Sequence, residues 1–142
     1  MNQRAHLPIY TKTYDFIKLV YQITRQFKRE YKYSLGVELE QIAWQMLDEI
    51  IKTNYLSDYL KKDGIKTISA LFDRFKIRFR FAFEIDLISD KKFAIVQKNI
   101  EEIGKMIGGW LDWAIKQNRI HLKRSGGNLT SAESLQKFVY DN

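Results

Sequence analysis

Apolar residues recur at three- and four-residue steps along most of the chain, the spacing of a helix with one buried face. In the first segment the stripe is Tyr10, Tyr14, Ile17, Val20 and Tyr21, widened by Phe16, Ile23 and Phe27. Pro8, the only proline, stands just before it, where a helix start tolerates the missing N–H. Ser34 is a good N-cap for a second helix carrying Leu35, Leu39, Ile42, Ala43, Met46 and Ile50 on one face. "KKDG", ending at Gly64, reads as a loop. After Ser89 a last long segment stacks Phe93, Val96, Ile100, Ile103, Ile107, Leu111 and Ala114. The pattern predicts helices over about 10–32, 35–56, 65–88 and 90–117. Their short connections favour antiparallel neighbours, an all-α, up-down-up-down antiparallel four-helix bundle.

One stretch disturbs that pattern. "DRFKIRFRFAFEID", residues 73–86, alternates apolar and charged side chains as a half-buried strand would. No other segment supplies a partner strand. Wound as a helix, Ile68, Leu71, Phe72, Phe75, Phe79 and Ala82 fall on one face, while Ala70, Ile77, Phe81 and Ile88 line the opposite side. Arg74, Lys76, Arg78 and Arg80 flank both stripes. The helical reading fits the surrounding pattern. The second helix behaves similarly, with Val37, Trp44, Leu47, Ile51 and Tyr55 away from its core stripe. A bundle helix needs only one buried stripe. Two readings of the extra ones stand: scattered exposed aromatics on a wide core, or an interface between subunits, with Val37, Trp44, Ile51, Tyr55, Ile77 and Phe81 as its residues.

"IGKMIGGWLDW" places Gly104, Gly108 and Gly109 inside the last helix, although interior glycine costs about 0.8–1 kcal/mol relative to alanine. Gly104 and Gly108 share a face, so a packing notch for a neighbouring element is the expectation. Without a preceding strand the glycines do not form a phosphate loop. Past Gln117 the character changes. Residues 118–142 form an extension to a bundle of residues 1–117, with a Gly-Gly hinge and a capping box at Thr130 and Glu133 that would start a short helix.

Composition narrows the function. The 142 residues suffice for one modest core. There is no cysteine, which excludes disulfides and thiolate metal sites. No apolar run approaches the ~18–20 residues of a membrane span, and "MNQRAHLPIY" lacks the apolar core of a secretory signal, so a cytoplasmic location is expected. The net charge is +7, made of +5 over residues 1–33, −3 over 34–64, +2 over 65–89, +1 over 90–117 and +2 over 118–142, so the excess sits mainly in the first and third segments. That distribution suits a basic surface on a folded body better than a basic tail.

Catalytic and metal-binding patterns are missing. A di-metal bundle needs a Glu three residues before a His; Gln3 precedes His6 and Asn118 precedes His121 at that distance. No nucleophile elbow, P-loop or dinucleotide fingerprint occurs, and Glu38, Glu40, Asp48 and Glu49 diverge on their helix. No enzyme, metal, cofactor or small-molecule substrate is expected. What remains is cationic: Lys18, Arg25, Lys28, Arg29 and Lys32 near the end of the first helix, and Arg74, Lys76, Arg78 and Arg80 on the third. Such groups on a rigid frame can bind phosphate, and Tyr21, Tyr31 and Tyr33 beside them can stack on bases. The same residues also fit a simple solvated face.

Two stretches add a resemblance. "LPIYTKTYDFIKLVY" (7–21) and "IEEIGKMIGGWLDW" (100–113) resemble the accessory variability determinant (Avd) proteins of diversity-generating retroelements. These sit within the wider four-helix-bundle family that includes proteins encoded in ribosomal RNA intervening sequences. "LGVELEQIAWQMLDEIIKTNY" fits the same pattern more loosely, and the resemblance covers about residues 7–115. It implies a non-enzymatic basic protomer that assembles into a pentameric barrel. It also implies association with the retroelement reverse transcriptase and with RNA or DNA during the complementary-DNA synthesis behind mutagenic retrohoming. The competing class is an oligomeric protein-interaction module without nucleic-acid binding.

Overall fold

The structure, a computed structural model, describes residues 8–126. Four long helices account for most of them: α1 (Pro8–Thr24), α2 (Val37–Asn54), α3 (Lys61–Glu84) and α4 (Asp90–Arg124). They form an all-α four-helix bundle, with no strand among the described residues, so the stretch 73–86 lies in helix up to Glu84. The alternation there reflects two apolar sides of α3: Phe75, Phe79 and Ala82 are buried, whereas Ile77 and Phe81 are exposed. Each helix sends one stripe inward. Phe16, Ile17 and Val20 of α1 meet Leu39, Met46 and Ile50 of α2, Ile65, Ile68 and Phe75 of α3, and Val96, Ile103 and Ile107 of α4. Burying a side chain of this size contributes about 1.5–3 kcal/mol, and this core is what holds the bundle.

The helix ends depart from expectation. α1 stops at Thr24 rather than near residue 32. The chain turns there so that Phe27, 5% exposed, closes the bottom of the core. A new helical turn begins at Arg29–Tyr31, passes through a π-helical turn at Lys32–Gly36, and runs on into α2. Ser34 is therefore not an N-cap; its hydroxyl donates to the Glu30 carbonyl at 3.0 Å. Gly36 is buried in this corner, and a Cβ there would stand 3.5 Å from Thr24 Cβ and 3.6 Å from a Phe27 ring carbon. The hydroxyl of Thr24 donates to Glu40 at 2.6 Å, which ties the corner to α2.

"KKDG" is not a loop. α3 begins at Lys61, whose buried ammonium donates to the Leu56 carbonyl at 2.5 Å and to Asp58 at 3.2 Å, and so closes the end of α2. At its other end α3 stops four residues before the expected Ile88. Leu87 N–H donates to the Ala82 carbonyl and Asp86 N–H to the Phe83 carbonyl, both at 3.0 Å, with Asp86 left-handed at φ 66°. That pair of bonds is a Schellman termination. Ile88 then turns into the core at 4% exposure, correcting its expected place on the outer stripe. α4 starts after Ser89 as expected, and the Ser89 hydroxyl caps it, accepting from Lys92 N–H at 3.2 Å. α4 does not break at Gln117 but continues to Arg124. Asn118 donates to the Tyr59 carbonyl at 3.0 Å, and His121 stacks on the Tyr59 ring at 3.6 Å. His6 and the short helix expected after Thr130 lie outside the described residues.

Candidate nucleic-acid interface

The corner between α1 and α2 and the C-terminal half of α3 occupy the same end of the bundle. Arg78 of α3 pairs with Glu38, the second residue of α2, and Lys92 of α4 bonds Gln26 in the corner. The basic cluster of the corner and that of α3, far apart in sequence, thereby lie at the same end of the bundle. Their members are not equivalent. Arg25, Lys28 and Arg29 are exposed on the corner, and Arg74 is exposed on α3. None of these four has a carboxylate within ion-pair distance among the described residues. Lys18 lies further up α1, 3.8 Å from Asp15 and 4.7 Å above the Tyr14 ring. Lys32 is half-buried, 5.9 Å from the Tyr33 ring.

On α3 the ion pairs sort the remaining cations. Lys76 pairs with Asp73 at 3.1 Å and lies 5.0 Å over the Phe72 ring. Arg80 pairs with Glu84, one turn on, at 2.9 Å. Both are exposed intrahelical pairs, a weak kind worth about 0–1 kcal/mol that an anionic ligand can displace. Arg78 differs. It is half-buried, joins α3 to α2 through Glu38, and also donates to the Arg74 carbonyl at 3.1 Å. Its geometry ties two helices together.

The tyrosines beside these groups also divide. Tyr31 packs against the core, and Tyr21 accepts a hydrogen bond from Trp44 Nε1 at 2.9 Å across the α1–α2 surface. Tyr33, 70% exposed, presents its ring to solvent. Of the expected interface residues, Trp44 (40% exposed), Tyr55 (67%), Ile77 (69%) and Phe81 (53%) form outward apolar sites, while Val37 and Ile51 are half-buried. Leu47 of the same expected stripe is in the core at 4%. The outer stripe of α2 is therefore narrower than its periodicity implied.

The glycines need the largest correction. A Cβ on Gly104 would meet a Phe72 ring carbon at 3.6 Å, an ordinary contact. A Cβ on Gly108 would meet nothing within 4 Å among the described residues, so the protomer has no packing notch there. The close approach is at Gly64, where a Cβ would fall 2.1 Å from Thr53 Oγ1. Reading "KKDG" as a loop hid it. Among the described residues no cluster of three or more His, Cys, Asp or Glu could hold a metal ion, and no helix is long and apolar enough to cross a membrane.

Fold and surface thus define a basic four-helix bundle with exposed cations at the α1–α2 corner and on the neighbouring half of α3. Residues 7–114 match the bAvd-like family, and the chain belongs to that family. Membership supports an accessory role in a diversity-generating retroelement, in a family that is accessory rather than catalytic. No curated protein matches the chain.

Proposed function

We propose that the protein is a non-enzymatic, cytoplasmic accessory factor that binds RNA or DNA and the retroelement reverse transcriptase, as a homo-oligomer, in support of mutagenic retrohoming. The observation that carries this reading is the meeting of two basic clusters at one end, with Arg25, Lys28, Arg29 and Arg74 unpaired among the described residues. Unpaired cations on a rigid corner are available to phosphate without first losing a carboxylate. Lys18, Lys32, Lys76 and Arg80 extend the same surface, and Arg78 supports it by fixing α3 to α2. Pentameric assembly comes from the family resemblance; the outward Trp44, Tyr55, Ile77 and Phe81 supply apolar area for contacts between copies.

The test is binding of a labelled RNA across a salt series. Arg25→Gln with Arg29→Gln should leave helicity intact and lower the slope of log affinity against log salt by about 1.4 on single strands. Arg78→Gln should leave that slope near the wild-type value. Absence of salt-dependent binding by the wild-type protein overturns the reading.

One set of residues favours a second reading, an interaction module that contacts protein alone: Ile77 and Phe81 lie between Arg74 and Arg80 on the outer side of α3, an apolar site with a charged rim. Co-purification with the reverse transcriptase that survives nuclease treatment, with no affinity for RNA or DNA, would select it.

A further inference from the structure

A groove of about 610 Å³ opens between the C-terminal half of α3 and the first turns of α4. Phe83, Phe93 and Ile100 form its apolar floor, with the Gln97 amide beside them, and Lys76 and Arg80 stand on its α3 rim. Glu84 is on the same rim, paired with Arg80. The volume falls within the range of pockets that hold small planar ligands.

The floor belongs to a series of aromatic rings that starts in the core. Phe75, fully buried, stacks on Phe79 with centroids 5.9 Å apart; Phe79, 3% exposed, stacks on Phe93 at 5.4 Å with an interplanar angle of 5°. Phe93 stacks in turn on Phe83 at 4.0 Å. Phe93 and Phe83 are only half-buried and line the groove. The series therefore leads from the core to an apolar surface beside two cations. Lys76 and Arg80 are one helical turn apart, on one side of α3, and both are exposed.

We infer that this groove is a base-binding site for single-stranded nucleic acid: an unpaired base packs on Phe83 and Phe93, and the adjoining phosphates lie on Lys76 and Arg80. The inference rests on the nucleic-acid reading above and deepens it by naming a strand state and a site. Charge selects an anionic occupant, since Lys76 and Arg80 each need only release an exposed carboxylate of their own helix. Stacked aromatic rings select a planar one, and an aromatic floor is sequence-tolerant because every base has a π-face. A base within a duplex is already stacked on its neighbours and cannot enter the groove, so the site discriminates against double strands. Gln97 offers both an amide donor and an acceptor to a base edge.

The experiment uses the full chain and a short fluorescein-labelled RNA, as a single strand and as the matching duplex. Phe83→Leu keeps an apolar side chain and removes the ring. It should weaken single-strand binding roughly ten-fold, leave duplex binding unchanged, and leave the salt slope unchanged. Lys76→Gln with Arg80→Gln should lower the single-strand slope by about 1.4. Because Phe83 also packs against the core, a wild-type measurement stands beside the variants. An RNA carrying 5-iodouracil, irradiated in complex, should crosslink to a peptide containing Phe83 or Phe93. Wild-type protein that binds no RNA overturns both this inference and the reading it rests on. Wild-type binding with unchanged affinity in a folded Phe83→Leu, or crosslinks confined to other peptides, overturns the groove alone. Equal weakening of single strand and duplex assigns the loss to general structure, and a lowered assembly mass assigns the groove to a contact between copies; either result overturns the inference.

Discussion

The two sides of α3 are packed by opposite means. Toward α2, its first turn comes so close that Gly64 has no room for a side chain: a Cβ would lie 2.1, 2.8 and 2.9 Å from Thr53 Oγ1, Cγ2 and Cβ. Toward α4, the glycines lie on the partner helix and are hardly used. Gly104 would place a Cβ 3.6 Å from Phe72, and Gly108 would place one in open space. Helical glycine is costly in both places. Only at Gly64 does backbone proximity compensate for it. A glycine's significance thus depends on what faces it across the seam, which its own helix does not reveal.

The largest expected effect follows directly. Gly64→Ala gains helix propensity but must push α3 from α2, because Thr53 Cβ is fixed to its backbone and cannot rotate away. Overpacking of this kind costs about 1–3 kcal/mol and exceeds the propensity gain. A lowered midpoint in urea unfolding would register it. Adding Thr53→Ala removes the two nearest atoms and leaves the Cβ contact, so the double variant should recover part of the loss. Full stability in Gly64→Ala would show that the seam is looser than 2.9 Å implies.

Gly108→Ala should act in the other direction, raising protomer stability by about 0.8–1 kcal/mol, since nothing among the described residues opposes a Cβ. The same variant sharpens the comparison in the assembled protein. If a second copy packs closely on Gly108, stability falls and the assembly mass with it. Thermal unfolding and light scattering on one sample separate these outcomes.

These corrections indicate how much was legible in the sequence. The inward stripes were, because Leu39, Ile42, Met46 and Ile50, or Val96, Ile100, Ile103 and Ile107, repeat with the helical period and nothing competes with that signal. The basic clusters were legible as residues, but not the sorting among them. What sets Arg78 apart from Arg74 and Arg80 is above all its tie to Glu38, which lies 40 residues away. Helix ends were poorly legible. Phe27 and Ile88 looked like stripe residues extending a helix, and each instead closes the core from a turn. Ser34 had the chemistry of an N-cap, yet the helix had already begun at Arg29. Phe93 read as a core residue, and its stacking on Phe83 depends on how α4 lies beside α3.

Asp86 adds a third case, a site whose backbone favours glycine but holds another residue. Its φ of 66° is in the left-handed region, where the Schellman bonds that end α3 require it. Aspartate tolerates that conformation better than most side chains, and glycine better still. Asp86→Gly should therefore raise stability by up to about 0.5 kcal/mol, less than at Gly108 because glycine also gives the unfolded chain more freedom. Asp86→Val should lower it by about 1–2 kcal/mol. Equal stability in the two variants would mean that the turn adapts to either residue.

The smallest expected effect concerns the seam between α1 and α4, where an ion pair joins the helices. Lys12 of α1 pairs with Glu102 of α4. The hydrogen bond from Lys12 holds the Glu102 carboxyl below its ordinary 4.5; desolvation opposes this, and the charges of Lys12, Lys98 and Lys105 reinforce it. A carboxylate with a depressed folded pKa contributes stability that is present above its unfolded value and is lost as pH falls through the folded one. The affected window therefore lies below about pH 4.5, and neutral pH leaves the contribution intact. Lys12→Gln should move the Glu102 midpoint most of the way back toward 4.5, with Lys98 and Lys105 retaining the remainder. Carboxyl NMR titration of wild type and variant reads that shift directly. Glu102 is exposed enough to solvent that the accompanying stability change should be slight, in contrast to Gly64, where no solvent can relieve the contact. An unchanged Glu102 midpoint in Lys12→Gln would show that the pair does not form in solution, leaving this seam to Ile9, Phe16, Ile103 and Ile107.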